Sequence, residues 1–263
     1  VSTKQGGWEL PISEGQLDRL THEMEEAHRE TLPAMRASAA DLTEQIKSDR
    51  RRFLLGAGGV GAAFLLAACS SDKDSSASQS SAGDARSPAA VSDKVTYTGD
   101  LKIVALAVAL ENQAVGAYKA TLSAAKAGKL GTVPPAVASF VTKAMAQHED
   151  HAKAWNAVLT GAGKPAITNV PLSNQQQVTS ALSKATSVAD VAKLALQLED
   201  QAAQTYLFAT YNVKSAGGIE TAATIAPVEA MHAAILHFVL GQYPVPDTFL
   251  PTDKAAKPSL LTV

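Results

Sequence analysis

Leu110-Glu111-Asn112-Gln113-Ala114, followed by Tyr118, recurs as Leu198-Glu199-Asp200-Gln201-Ala202, followed by Tyr206. Leu, Glu, Gln, Ala and Tyr keep their offsets, so the two stretches read as copies of one structural unit. A second pair repeats in the same way. His148-Glu149-Asp150-His151-Ala152 precedes Val158-Leu159, and Glu229-Ala230-Met231-His232-Ala233 precedes Val239-Leu240. The chain thus carries two copies of a hairpin, and a pseudo-two-fold axis between them would gather the equivalent polar positions at its centre.

Each repeat sits on a stripe that steps by three or four residues, the period of a helix. The stripes are Val104, Ala107, Glu111, Ala114, Tyr118 and Thr121; Val141, Met145, His148, His151, Trp155 and Leu159; Ala195, Glu199, Ala202, Tyr206 and Ala209; and Ile225, Glu229, His232, Ile235 and Val239. They predict helices over about 101–126, 135–160, 188–212 and 219–242. Residues 128–134 and 213–218 are short turns with Gly or Pro breakers, whereas 161–187 is a long connection containing Pro165 and Pro171, with room for a short helix near 174–184. The fold class is therefore all-α, an antiparallel four-helix bundle with one long crossover. A low aromatic share of 5% beside abundant Ala and Leu agrees with helices rather than a sheet. Pro244, Pro246 and Pro251 end the fourth helix and leave an extended tail over 243–263.

The stripes carry an expensive feature. A carboxylate on a core-facing stripe costs several kcal/mol in desolvation unless a cation or hydrogen-bond partner compensates. Glu111, Glu199 and Glu229 stand there with His148, His151 and His232, and no Lys or Arg shares the stripes. A bound metal is the economical explanation, and oxygen and imidazole ligands without thiolate suit iron, manganese or zinc. His148 with His151, and Glu229 with His232, lie at i and i+3 and can each turn two donors to one centre. The alternative for the same residues is a metal-free polar network in which every group is paired. Tyr118 and Tyr206, each seven residues after a stripe glutamate, are candidates to bond the ligands or exchange electrons with a metal; a buried Tyr with a satisfied hydroxyl is the plainer reading. Trp155 reads as core filling and His237 as structural.

At these residues the chain resembles the ferritin-like superfamily, whose di-metal sites take one Glu from each of two helices and a Glu-x-x-His pair from each of the other two. The resemblance covers about 101–242. It implies that Glu111 and Glu199 are the single-glutamate ligands and that Glu229 with His232 is a Glu-x-x-His pair. His148 departs from the pattern, standing where the family has Glu, and Ala152 prevents Glu149 from replacing it. The implied cofactor is a pair of iron or manganese ions, or a mono-metal site if His148 removes one position. The implied chemistry is redox reaction with dioxygen, peroxide or Fe(II).

The N-terminal third has a different organisation. Asp49-Arg50-Arg51-Arg52-Phe53-Leu54-Leu55, a Gly/Ala-rich apolar run and Leu66-Ala67-Ala68-Cys69 resemble a twin-arginine export signal ending in a lipobox. The apolar segment is shorter than the roughly 20 residues that span a bilayer, which favours a signal over an anchor. The domains follow: 1–49, a polar leader or long signal n-region whose start codon is open, with a polar helix over 13–47; 50–69, the signal; 70–98, a Ser/Ala/Asp-rich tether; 99–242, the bundle; and 243–263, the tail. The resemblance implies export, lipidation of Cys69 and anchoring on the outer face of the cytoplasmic membrane, with His22 and His28 removed beforehand. A single cysteine excludes an internal disulfide, and a net charge of -2 without a long basic run excludes a nucleic-acid groove. Expected partners are metal ions and the membrane, with a homo-oligomer or an envelope protein also open. Two other functions stay open: a metal-free or mono-metal envelope scaffold, and an iron-storage cage, which a lipid anchor near each subunit's N-terminus disfavours.

Overall fold

The computed structural model describes residues 9–61, 95–247 and 249–263. Within them run α1 (Glu14–Gly61), α2 (Asp100–Lys126), α3 (Pro135–Gly161), α4 (Gln175–Lys184), α5 (Val188–Asn212) and α6 (Ala216–Val239), then a single 3-10 turn at Pro258–Leu260. No strand occurs among the described residues, only an isolated antiparallel bridge between Leu172 and Leu261.

The bundle helices start and stop where side chains and backbone satisfy their free ends. Ser187 and Asp190 form a reciprocal capping box that opens α5: the Asp190 amide donates to Ser187 Oγ at 3.1 Å and the Ser187 amide to Asp190 Oδ2 at 3.1 Å. α3 closes through Gly163 at φ 71, where the Lys164 amide reaches back to the Leu159 carbonyl at 2.9 Å. α2 and α6 close in the same way. α6 therefore ends at Val239 rather than 242, and it begins at Ala216 rather than 219 because the Asp100 carboxylate accepts the amides of Lys214 and Ser215.

α2 pairs with α3 and α5 with α6, while α2 packs on α5 and α4 crosses against both. The core has two apolar layers. One holds Val104, Val108, Trp155, Leu159, Tyr206 and Ile225. The other holds Tyr118, Phe140, Val141, Val191, Leu236 and Val239. The stripe Glu and His residues lie between these layers along all four helices. α6 is long and apolar enough to cross a bilayer by composition, but most of that apolar surface is buried inside the bundle.

α1 changes the picture of the leader. Its helix starts where the sequence places one but runs on through the arginine cluster to Gly61, and it lies against both α3 and α6. Leu17 and Met24 join one apolar layer, and Met35, Ala39 and Leu42 join the other. The sequence places Leu17, Leu20, Met24 and His28 at helical spacing within a largely polar helix; the structure shows Leu17, Met24 and His28 of that stripe buried. Contact is close: a Cβ on Gly217 would lie 2.5 Å from the Ser38 carbonyl oxygen and 2.7 Å from the Leu42 amide nitrogen. Nearby, the buried hydroxyls of Ser38 and Thr221 are 2.8 Å apart. Cys69, the remainder of the apolar run and most of the tether lie outside the described residues.

The C-terminal tail is irregular, as its prolines require, but it is docked. The amides of Lys254 and Ala256 donate to Gln204 Oε1 and Thr205 Oγ1, each at 2.8 Å, and the Thr262 amide donates to the Pro171 carbonyl at 2.9 Å. This strap holds the crossover against α2 and α5. Because backbone cannot move aside as a side chain can, Gly217→Ala is expected to lower stability by about 1–3 kcal/mol. It should also render α1 sensitive to limited proteolysis; an unchanged urea midpoint and a protected α1 would contradict the packing described.

Candidate metal centre

All six stripe residues predicted as ligands meet in one buried layer, each 2% exposed or less. They form two overlapping groups: Glu111, His148, His151 and Glu229; and His148, Glu199, Glu229 and His232. In each group the candidate ligand atoms lie within 4.8 Å of one another. Glu229 and His148 belong to both. Glu229 Oε1 is 2.9 Å from His151 Nδ1, and its Oε2 is 3.2 Å from His232 Nδ1. His148 spans the layer in the same sense, with Nδ1 2.6 Å from Glu111 Oε2 and Nε2 3.1 Å from Glu199 Oε1. Glu111 and Glu199 stand at opposite ends.

Both tyrosines join this layer crosswise. The Tyr118 hydroxyl donates to Glu199, and the Tyr206 hydroxyl donates to Glu111. Each tyrosine thus holds the glutamate of the other repeat, as a pseudo-two-fold arrangement demands. Trp155 Nε1 donates to Tyr206 Oη at 3.0 Å, which ties the tryptophan to the site through Tyr206. His237 lies apart, its Nδ1 2.8 Å from Gln242 Oε1.

A model of the family described as ferritin-like domain matches residues 99–242. The chain belongs to that family. No curated protein and no solved structure matches it. The matched residues run from the start of α2 to the turn after α6, so the ferritin-like match contains the whole buried layer while α1 lies outside it.

Two residues of this ferritin-like site escaped the sequence reading. Gln147, buried beside His148, accepts at Oε1 from His232 Nε2 at 2.8 Å. Its repeat counterpart is Val228, so the repeat that reveals the ligands conceals it. His28 of α1 is buried against His151, with ring centroids 5.3 Å apart. It sits on the leader's helical stripe, and its place before the arginine cluster disguised its destination. Burial, then the neighbouring His151, pulls His28 down to about 4, so this ring is neutral.

The electrostatics of the layer are reciprocal. Burial opposes the charge on Glu111, Glu199 and the three histidines, and the surrounding opposite charges outweigh it. His151 is raised to about 9 by Glu111 and then Glu229. His148 is raised well above the ordinary histidine range by Glu229 and Glu199, and His232 is raised by Glu199. Glu111 is lowered to about 2 by His151 and His148, and Glu199 falls well below its usual range beside His148 and His232. Burial and the glutamate each one bonds push both tyrosines up.

The donor set fits a metal. Glu229 Oε1 and both ring nitrogens of His151 are buried without a hydrogen-bond partner, although Glu229 Oε1 and His151 Nδ1 are only 2.9 Å apart. Such convergent unpaired donors have the chemistry of ligands, and a divalent ion would replace the imidazole protons that otherwise balance the carboxylates.

Those protons give a pH signature. The raised histidines contribute stability in full below the ordinary histidine value of 6.5, lost as pH rises through about 9 for His151. The lowered glutamates contribute above 4.5, lost as pH falls through about 2 for Glu111. Chelator-treated protein is therefore expected to be most stable between 4.5 and 6.5, where both contributions are whole, and to lose stability as pH rises from neutral through about 9. Bound metal should reverse the alkaline loss. Urea unfolding across pH, with and without metal, measures both, and a flat metal-free profile would contradict the charge pairing.

Proposed function

We propose that this ferritin-like bundle holds a pair of transition-metal ions, iron or manganese, for redox chemistry with dioxygen, peroxide or Fe(II). The observation that carries the reading is that Glu229, whose two oxygens face different histidines, belongs to both ligand groups, which supports two adjacent positions rather than one. Glu111 with His151 would complete one position, and Glu199 with His232 the other. The metals would supply the electrons. The chain's own contribution is to orient the carboxylates through the two tyrosines, to exclude water with the apolar layers, and to hold exchangeable protons on the imidazoles. An apolar cavity of about 40 Å³, bounded by Tyr118, Phe140, Val141, Val191 and Leu236, adjoins the site and suits a small apolar oxidant better than water.

Purified protein is expected to contain about two metals per chain by elemental analysis, as a two-metal site requires. Glu111→Ala with Glu199→Ala should abolish them while circular dichroism stays helical. Protein prepared without chelators that carries no stoichiometric metal and takes up none on titration would end this reading.

Export and anchoring belong to the same proposal. Support comes from the Arg50-Arg51-Arg52 cluster and the Leu66-Ala67-Ala68-Cys69 box. Cys69→Ala is expected to shift the protein from the membrane fraction to the soluble fraction and to abolish incorporation of radiolabelled palmitate. A second reading, an envelope interaction scaffold, draws support from the exposed Tyr243, Val245 and Phe249 on the loop after α6. It requires that stress or growth phenotypes survive Glu229→Ala and His232→Ala at normal abundance.

A further inference from the structure

α1 does more than cover the seam between α3 and α6. Glu25, on its inner side, has Oε2 2.9 Å from Gln147 Nε2 and Oε1 3.5 Å from Lys143 Nζ. An ionised carboxylate accepts hydrogen bonds and cannot donate them, so it demands the NH₂ end of the Gln147 amide. The carbonyl end then faces His232 Nε2 at 2.8 Å. A carbonyl oxygen also only accepts, so His232 must carry its proton on Nε2. That leaves Nδ1, 3.2 Å from Glu229 Oε2 and 3.3 Å from Glu199 Oε2, as the atom directed into the ligand layer.

We infer that Glu25 is a positioning residue of the metal centre, acting through Gln147 to fix the ring of His232 with Nδ1 presented to the ion. The relay crosses from α1 to α3 to α6, and it exists in only one of the two repeats. Val228 replaces Gln147 in the other, so His151 has no equivalent acceptor and instead packs against the tilted ring of His28. Both outer histidines are consequently backed by α1, one through a hydrogen-bond chain and one through ring contact. A helix outside the ferritin-like match thus supplies the outer shell of the site, the layer that sets ligand tautomer and orientation.

This inference rests on the metal-centre reading, and the test separates the two. Full-length chain, labelled with ¹⁵N, is titrated with zinc as a diamagnetic probe. Zinc affinity and the hydrogen exchange of the His232 Nε2–H proton are then compared among wild type, Glu25→Ala, Glu25→Gln, Gln147→Leu and the exposed control Glu26→Ala. Loss of an outer-shell partner typically weakens metal binding about 10–100-fold, and that loss is expected for Glu25→Ala and Gln147→Leu. In both variants the Nε2–H proton should exchange faster. Glu25→Gln, which keeps an acceptor, should recover part of both effects, and Glu26→Ala should match wild type.

Wild-type affinity and a protected Nε2–H in Glu25→Ala would overturn the inference. So would a lowered thermal midpoint with both readouts unchanged, because Glu25 would then serve only to dock α1. Should Glu25→Ala release α1 altogether, Gln147→Leu decides, since it cuts the relay inside the bundle. If wild type takes up neither zinc nor Fe(II) nor Mn(II), the metal reading fails, and Nε2–H exchange in the metal-free variants still judges the relay.

Discussion

Three carboxylates and three imidazoles are buried in one layer between two apolar layers, and the rest of the structure is arranged around that constraint. Burying such charges separately would cost several kcal/mol each, so each must meet its opposites at short range. The close approach of Glu229 to His151 and His232, and the span of His148 between Glu111 and Glu199, meet that demand. The geometry in turn fixes the rotation of four helices about their axes. A turn of one residue on α3 or α6 would swing a ligand out of the layer and leave its partners unpaired.

His148 is the departure from the ferritin-like pattern, and the structure gives it a physical meaning. A glutamate at this position would present two oxygens to one side and add a further negative charge. The imidazole presents one nitrogen toward each end glutamate. It can hold the layer together as a cation when no metal is bound, which no glutamate could do. An ion entering here would have to displace protons from this ring or move the ring itself, which would couple proton release to ion uptake at the centre of the site.

The repeats made the bundle and its buried cluster of six Glu and His residues legible because a helix returns every third or fourth residue to the same face, and because two copies of one hairpin leave a duplicate record. Legibility stopped where the symmetry stops. Gln147 has Val228 as its counterpart, so the duplicate record conceals it. The stripe of α1 is diluted by charged neighbours, and what binds it includes the Ser38–Thr221 pair and the backbone contact at Gly217, neither of which appears in a hydropathy pattern. The docking of the tail was hidden for a related reason: backbone amides reaching Gln204 and Thr205 leave no periodic trace. The start of α6 moved by about three residues because Asp100, distant in sequence, holds the amides before it, and its end because the chain turns at Gly241.

α1 is where two readings of the chain make opposite demands. Under the export proposal it would be separated from the bundle by processing ahead of Cys69. As the holder of Glu25 and His28 it is needed while the ligand layer takes its shape. The demands are compatible only in sequence. Families that use the twin-arginine route carry folded proteins, so α1 could orient His232 and back His151 during folding and ion capture and be removed later. A coordinated ion would itself hold Nδ1 of His232, and Gln147 would remain within the bundle to accept from Nε2. If processing removes α1, the carboxylate that orients that amide would leave with it, and a ligated ring would no longer need the choice to be made again.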